Sequence, residues 1–407
     1  MGSNDRTTRP NLAWWVMSEG ERKLKVANII EDGRIAGPQR RMVTIAAAMA
    51  DSVATTIFMP RADSANFQEL CQASGVPYRV LPLARGDRTL RGMARYLLRF
   101  LTDIFAVQLE LRRAEIDLVH VSGGAWQFKS VIAARLAGKP VVWHLNDTSM
   151  PRPIRWAFRG VSPLAAGLIF ASGRTREYYR SLATQRITAV VPATVDCSRH
   201  DPQFSAELDR DIVESLGDAL VVGTVANINP YKGMDHLLGA IARIVRNVPD
   251  VKALVVGPVY DNQRPYFDGL QQRAVELGIA DRIVWAGARK DVRPFLKRMD
   301  VFICSSVNES SPMAVWEAMA MSLPVVSTDV GDVSVHIDNS VNGYVVDVGD
   351  EAAMAARACD LLHDGHLRRT FGERARPTAR EAFSPTVIAR KTENVYHRVL
   401  RRDSVSI

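Results

Sequence analysis

The chain of 407 residues has few cysteines: Cys71, Cys197, Cys304 and Cys359 lie far apart, with no C-x-x-C spacing. That spacing argues against a disulfide framework and against a structural zinc site. Long apolar runs are also missing, since nothing approaches the ~18–20 residues that cross a bilayer. The apolar patch at 12–17 is too short for a secretory core, so a cytoplasmic protein is expected, with Trp14 and Trp15 either packed on the domain or acting as interfacial anchors. Neither G-x-G-x-x-G nor a Gly-Lys-Ser/Thr P-loop occurs, which argues against a dinucleotide dehydrogenase and an NTPase. The aromatics are not interleaved with the basic residues, so no nucleic-acid partner is expected.

What is present fits a folded protein of two or three domains: 47% of residues are hydrophobic and 24% charged. The 52 basic and 44 acidic residues leave a net charge of +8, unevenly spread. Residues 1–205 carry 28 basic and 17 acidic groups, a charge of +11, while the remainder carries 24 and 27, a charge of −3. Such asymmetry fits a surface meeting polyanions or an anionic membrane, or else a solvated Arg-rich face.

Short unalternated apolar runs predict strands over 26–30, 55–59, 78–83, 117–121, 141–144 and 167–171. After a polar stretch at 200–211 the rhythm resumes with strands over 219–225, 252–256, 282–285, 301–304, 325–327 and 344–346. Helical patterns separate them, notably at 39–50, 64–73, 89–112, 128–136, 174–182, 234–248, 264–277, 292–299 and 312–321. Apolar strands alternating with helices mean parallel sheets covered on both faces. The expected fold class is α/β, with two doubly wound Rossmann-like domains facing across a cleft. The expected divisions are a tail at 1–24, a first domain at 25–205, a second at 206–380 and a C-terminal helix at 381–407 that could return to the first domain.

In open parallel sheets ligands bind beyond the carboxyl ends of the strands, so chemistry is sought just after strands. The first strand runs into a loop holding Gly33 and Gly37, with Pro38 near the start of a helix, which can present backbone N–H groups to a polar ligand; a simple tight turn is the alternative. After the first strand of the second half come Asn227 and Lys232, the lysine close to a helix N-terminus, a combination suited to a diphosphate. Further on, Glu309-Ser310-Ser311-Pro312-Met313-Ala314 precedes Glu317. Ser311 reads as N-cap and Pro312 as first helical residue, with one carboxylate before the helix and one inside it.

This segment, with 324–328 and 342–344 after it, resembles the Glu-x7-Glu signature of retaining nucleotide-sugar glycosyltransferases of family 4, which have the GT-B fold. The likeness extends more loosely over 24–200, through the glycine loop and the post-strand His144. It implies a retaining hexosyltransferase that takes a nucleoside diphosphate sugar as donor and a glycan or lipid-linked acceptor, in polysaccharide or glycolipid biosynthesis. By the same resemblance Glu309 contacts donor-sugar hydroxyls, Glu317 holds the ribose and Lys232 binds the diphosphate. Backbone N–H groups of 311–314 complete an anion hole, and Arg289 lies in a loop near the base. His144, Gly33 and Gly37 fall where donor sugar and acceptor approach. The family needs neither metal nor other cofactor, because lysine and helix terminus meet the leaving charge.

The departures are Asn227 where an Arg is usual, Ser310-Ser311-Pro312 in place of a Gly-Phe-Gly type of turn, Ser322 where a helix-ending Gly is frequent, and Asp332 in place of a second Gly. Rival readings are a nucleotide-sugar 2-epimerase and a non-catalytic glycan-binding or scaffold subunit. Arg88, Arg91, Arg95 and Arg99 recur at helical spacing, so the helix at 89–112 is expected to present a basic face to the anionic cytoplasmic leaflet of a membrane; a solvated exterior face is the alternative.

Overall fold

The computed structural model describes residues 22–84, 90–185, 187–205 and 207–403, leaving Trp14, Trp15 and Arg88 outside the described residues. The first sheet consists of β1 (Leu24–Ile29), β2 (Val53–Pro60), β3 (Tyr78–Leu81), β4 (Leu118–Val121), β5 (Val141–Leu145), β6 (Gly167–Phe170) and β7 (Ile187–Val190). The second consists of β8 (Val221–Val225), β9 (Lys252–Val256), β10 (Ile283–Gly287), β11 (Val301–Cys304), β12 (Val325–Thr328) and β13 (Tyr344–Val346). Their orders are β3-β2-β1-β4-β5-β6-β7 and β10-β9-β8-β11-β12-β13, and every pairing is parallel. Central strands such as β4, β5 and β11 are buried on both faces, which is why they read as continuous Val, Ile and Leu runs.

In both sheets the strand order reverses between the first strand and its later neighbour: β1 beside β4, and β8 beside β11. Loops leaving those strands diverge there and open a crevice, so the segments after β1, β8 and β11 all face the same region.

The predicted 89–112 helix is two helices, Leu90–Leu98 and Phe100–Arg113. Arg99 stands between them and stays exposed while donating to Asp103 at 3.2 Å and to the Pro82 carbonyl at 2.7 Å. Arg88 is outside the described residues, as is the side chain of Arg91, while Arg95 and Arg99 are both exposed. The outer surface of the pair also carries apolar side chains, with Leu97, Leu98, Leu101, Phe105 and Leu109 exposed.

The C-terminal helix Pro385–Asp403 packs on the first sheet: Ile388, Ala389, Val395 and Val399 share a core with Val26, Leu118, Val142 and Ile169. The connecting segment moves the other way, with Ala193, Val195 and Cys197 in the core of the second sheet. The chain therefore crosses twice between its halves, once near 192 and once near 384.

Candidate active site

A cleft of about 560 Å³ lies between the two sheets and is lined by the loops after β1, β5, β8 and β11. On the second-sheet side, the chain leaves β8 through Asn227 and a single 3-10 turn, Pro230–Lys232. Gly233 follows at φ +61°, and a Cβ there would meet the Ser305 carbonyl oxygen at 1.9 Å, so only glycine lets this turn pass beneath β11. Lys232 is thereby held over the end of β11, where its Nζ pairs with Glu309 Oε1. The same carboxylate oxygen accepts from the Ser306 hydroxyl at 3.2 Å.

The helix after β11 runs over Met313–Ala320, with Pro312 as its N-cap, one residue later than expected. Ser311 does not cap it. Its hydroxyl accepts from the Ala193 amide at 3.0 Å and from Trp316 Nε1 at 3.1 Å, tying the turn to the junction between the halves. Ser310 donates to the Asn146 carbonyl at 2.6 Å, and Asp332 accepts from the Gly173 amide at 2.7 and 2.9 Å. Several positions that depart from the family pattern thus carry side-chain bonds between the two halves. The amides of Met313 and Ala314 open the helix at the cleft, where no carbonyl one turn back within the helix can take them.

Glu317 sits one turn inside, lining the cleft, with His200 Nε2 at 3.9 Å. Burial pushes its carboxyl up to about 7, opposed by the positive charges of Arg40 and Arg199. Asn227 lines the cleft and offers no charge. Arg289 lines it too, ion-paired with Asp209 at 3.0 Å and lying over the Phe295 ring.

On the first-sheet side, Gly37 opens the helix Gly37–Ala48 and lies so near Met313 that a Cβ would come within 3.1 Å of its sulfur. Gly33 is not part of the cleft wall. It packs behind the loop, where a Cβ would clash with the Ala62 carbonyl oxygen, so its role is to let the loop lie against the turn after β2. His144, near the end of β5, is 4% exposed and lines the cleft. Its ring stacks on His120 with centroids 5.5 Å apart and planes 6° apart, and His120 Nδ1 lies 2.7 Å from the Tyr396 hydroxyl of the C-terminal helix. Burial, then the charge of Arg41, holds His144 well below its usual value, so the imidazole is neutral. Among the described residues no three His, Cys, Asp or Glu side chains converge as a metal-ligand set.

Two family models match this architecture half by half: Glycosyltransferase Family 4 over residues 35–199 and Glycosyl transferases group 1 over 205–378. The chain belongs to the GT-B glycosyltransferases. It is 34% identical over 179 residues to N-acetyl-alpha-D-glucosaminyl L-malate synthase of Bacillus anthracis, covering 44% of this chain and 45% of that one. It is 32% identical over 181 residues to the lipopolysaccharide core biosynthesis glycosyltransferase LpsE of Rhizobium meliloti, covering 44% and 51%. The matched region spans about half the length of these curated relatives. Among solved structures, Anabaena Alr3699/HepE in complex with UDP and glucose superimposes with a TM-score of 0.78 at 22% identity, over 92% of this chain and 99% of that chain.

Several cleft residues of this GT-B chain escape a reading of the sequence. Arg40, Arg41, Arg199, His200 and Arg293 all line the cleft. Arg40 and Arg41 follow the glycine loop by one helical turn and could have been suspected there. Arg199 and His200 lie in the polar junction, where nothing in the spacing marks them. His120 and Tyr396 are joined only by the fold.

Proposed function

We propose that this chain is a retaining hexosyltransferase that moves a sugar from a nucleoside diphosphate sugar to a glycan or lipid-linked acceptor. The observation that carries the reading is the cluster at the β8/β11 switch point: Lys232, Glu309 and the opening amides of the 313–320 helix converge within one cleft. A cation and helix amides together suit a leaving diphosphate.

In this reading Lys232 and the amides of 311–314 hold the diphosphate, Glu309 takes donor-sugar hydroxyls and Glu317 takes the ribose. Asn227, Ser310, Pro312 and Arg289 form the surrounding donor wall, while Gly37 and His144 face the donor sugar and the acceptor. The acceptor oxygen attacks the anomeric carbon from the side of the departing phosphate. The bond to that phosphate breaks with its electron pair, and the leaving phosphate oxygen receives the acceptor's proton, so the anomeric configuration is kept. Charge on the leaving group is met by Lys232 and the helix amides, and the reading assigns no step to a metal or other cofactor.

The acceptor side is the half with the +11 charge and the exposed Leu97, Leu98, Leu101, Phe105 and Leu109, which suits peripheral docking on the anionic cytoplasmic leaflet. No helix among the described residues is long and apolar enough to cross a membrane.

The test is turnover of a panel of nucleoside diphosphate sugars, with and without glycan acceptors, in Lys232→Ala and Glu309→Ala. Both variants should lose hydrolysis and transfer while remaining folded. Full activity in both contradicts the reading, and conversion of the sugar nucleotide with no acceptor and no loss of sugar would indicate an epimerase instead.

A further inference from the structure

Several buried or partly buried cations are neutralised by acids. Lys232 holds Glu309, Arg289 holds Asp209, Arg293 holds Asp291, and the fully buried Lys129 beneath the glycine loop holds Asp103 at 2.9 Å. Arg41 is different. It lies on the helix Gly37–Ala48, is 6% exposed and lines the cleft beside His144.

Its Nε and Nη2 donate to the Pro192 carbonyl and the Thr392 hydroxyl, both at 3.4 Å, beyond the usual length of such bonds. Nη1 makes no hydrogen bond, and no carboxylate pairs with the group among the described residues. The groups around it offer no compensation: His144 and His120 are neutral, and His120 Nε2 is itself buried without a partner. Burial, opposed by Tyr396, lowers the guanidinium to about 10, which still leaves it charged at neutral pH. A buried charge with neither counterion nor good hydrogen bonds is costly, and here the cost falls at the wall of a substrate-sized cleft.

We propose that Arg41 is an anion subsite of the cleft, taking a phosphate or carboxylate carried by a substrate bound against the first-sheet wall. The planar fork of a guanidinium matches both groups, and its free edge supplies the charge-assisted donors. The bonds to Pro192 and Thr392 orient that fork from the domain junction and from the C-terminal helix, so the site is assembled by three separate parts of the chain. The subsite rests on the transferase reading only in calling its ligand a substrate. It is distinct from the diphosphate position at Lys232, which stands on the opposite wall.

The test uses the whole chain. Sodium phosphate is titrated at constant ionic strength, with chloride as control and UDP or GDP saturating the donor wall, and binding is followed by calorimetry. Saturable phosphate binding is expected in the wild type, weakened at least tenfold in Arg41→Gln and partly kept in Arg41→Lys. Nucleotide affinity should be unchanged in both variants, which also reports that they are folded.

A second arm compares UDP-glucuronate with UDP-glucose. Tighter binding of the glucuronate that is lost in Arg41→Gln would place the anion on the donor sugar, whereas phosphate binding without that preference would place it on the acceptor. The subsite is overturned if neither preference exists, if saturating nucleotide removes the phosphate site, or if Arg41→Gln binds as the wild type does. If no nucleotide binds at all, the donor-site reading fails, and phosphate titration of the wild type against Arg41→Gln still decides the subsite.

Discussion

The two walls of the cleft are built from the same kind of sheet and treat charge in opposite ways. The second-sheet wall carries three cations already paired with acids, Lys232 with Glu309, Arg289 with Asp209 and Arg293 with Asp291, beside the exposed Lys290. The first-sheet wall carries a neutral imidazole stack and the uncompensated Arg41. A ligand meeting the first wall supplies the missing charge. One meeting the second exchanges partners, since a diphosphate on Lys232 must take the place of Glu309, which is then free for sugar hydroxyls.

That exchange gives the largest expected effect. Glu309→Ala should cut turnover ~100-fold or more, by loss of positioning and transition-state contacts, while diphosphate affinity stays level or rises because Lys232 is released. A parallel fall in affinity and turnover would mean that the pair acts only as scaffold. The outer face of the first half offers the next test. Leu101→Asp with Phe105→Asp should lower flotation with anionic liposomes at least tenfold, since each apolar side chain withdrawn from water contributes ~1.5–3 kcal/mol, and leave soluble donor hydrolysis unchanged. Equal flotation of wild type and variant would remove the membrane from the account.

Glu317 provides a pH test of the second wall. Its carboxyl is raised in the folded chain from an ordinary 4.5 to about 7, mainly by burial, so the folded state holds a proton that the unfolded state releases between those values. The associated stability is complete below about pH 4.5 and is lost as pH rises through about 7. Glu317→Gln should therefore stabilise the chain by about 1–3 kcal/mol at pH 8 and have little effect at pH 4 in denaturant titrations. Equal effects at both pH values would contradict the buried, raised carboxyl. The smallest effects belong to the bonds between the walls: Ser310→Ala and Ser311→Ala should each cost about 1 kcal/mol in thermal unfolding, and together loosen closure, seen as weaker donor binding.

The parallel sheets were legible because fully buried strands leave uninterrupted apolar runs, as in Val301–Cys304 and Val141–Leu145. The edge strand Ile187–Val190 was not anticipated. It is only four residues long and mostly half-buried, so its composition carries little signal. Lys232, Glu309 and Glu317 could be read because each stands in a local strand-to-helix context. Ser311 has the composition of a cap, yet Pro312 takes the N-cap position and the serine hydroxyl is engaged by Ala193, 118 positions away. Gly33 packs behind the loop and does not line the cleft, and a glycine needed for close packing looks in sequence like one needed for ligand approach. Arg41, His120 and Tyr396 come together only when the C-terminal helix returns to the first sheet, a juxtaposition no local pattern encodes.

Whether Lys232 meets a leaving diphosphate is decided by donor hydrolysis in Lys232→Ala, measured at saturating sugar nucleotide beside nucleotide affinity. Turnover is expected to fall ~100-fold or more, together with weakened diphosphate binding in a chain that unfolds at the wild-type temperature. Turnover within a few-fold of wild type, with unchanged nucleotide affinity, would contradict it.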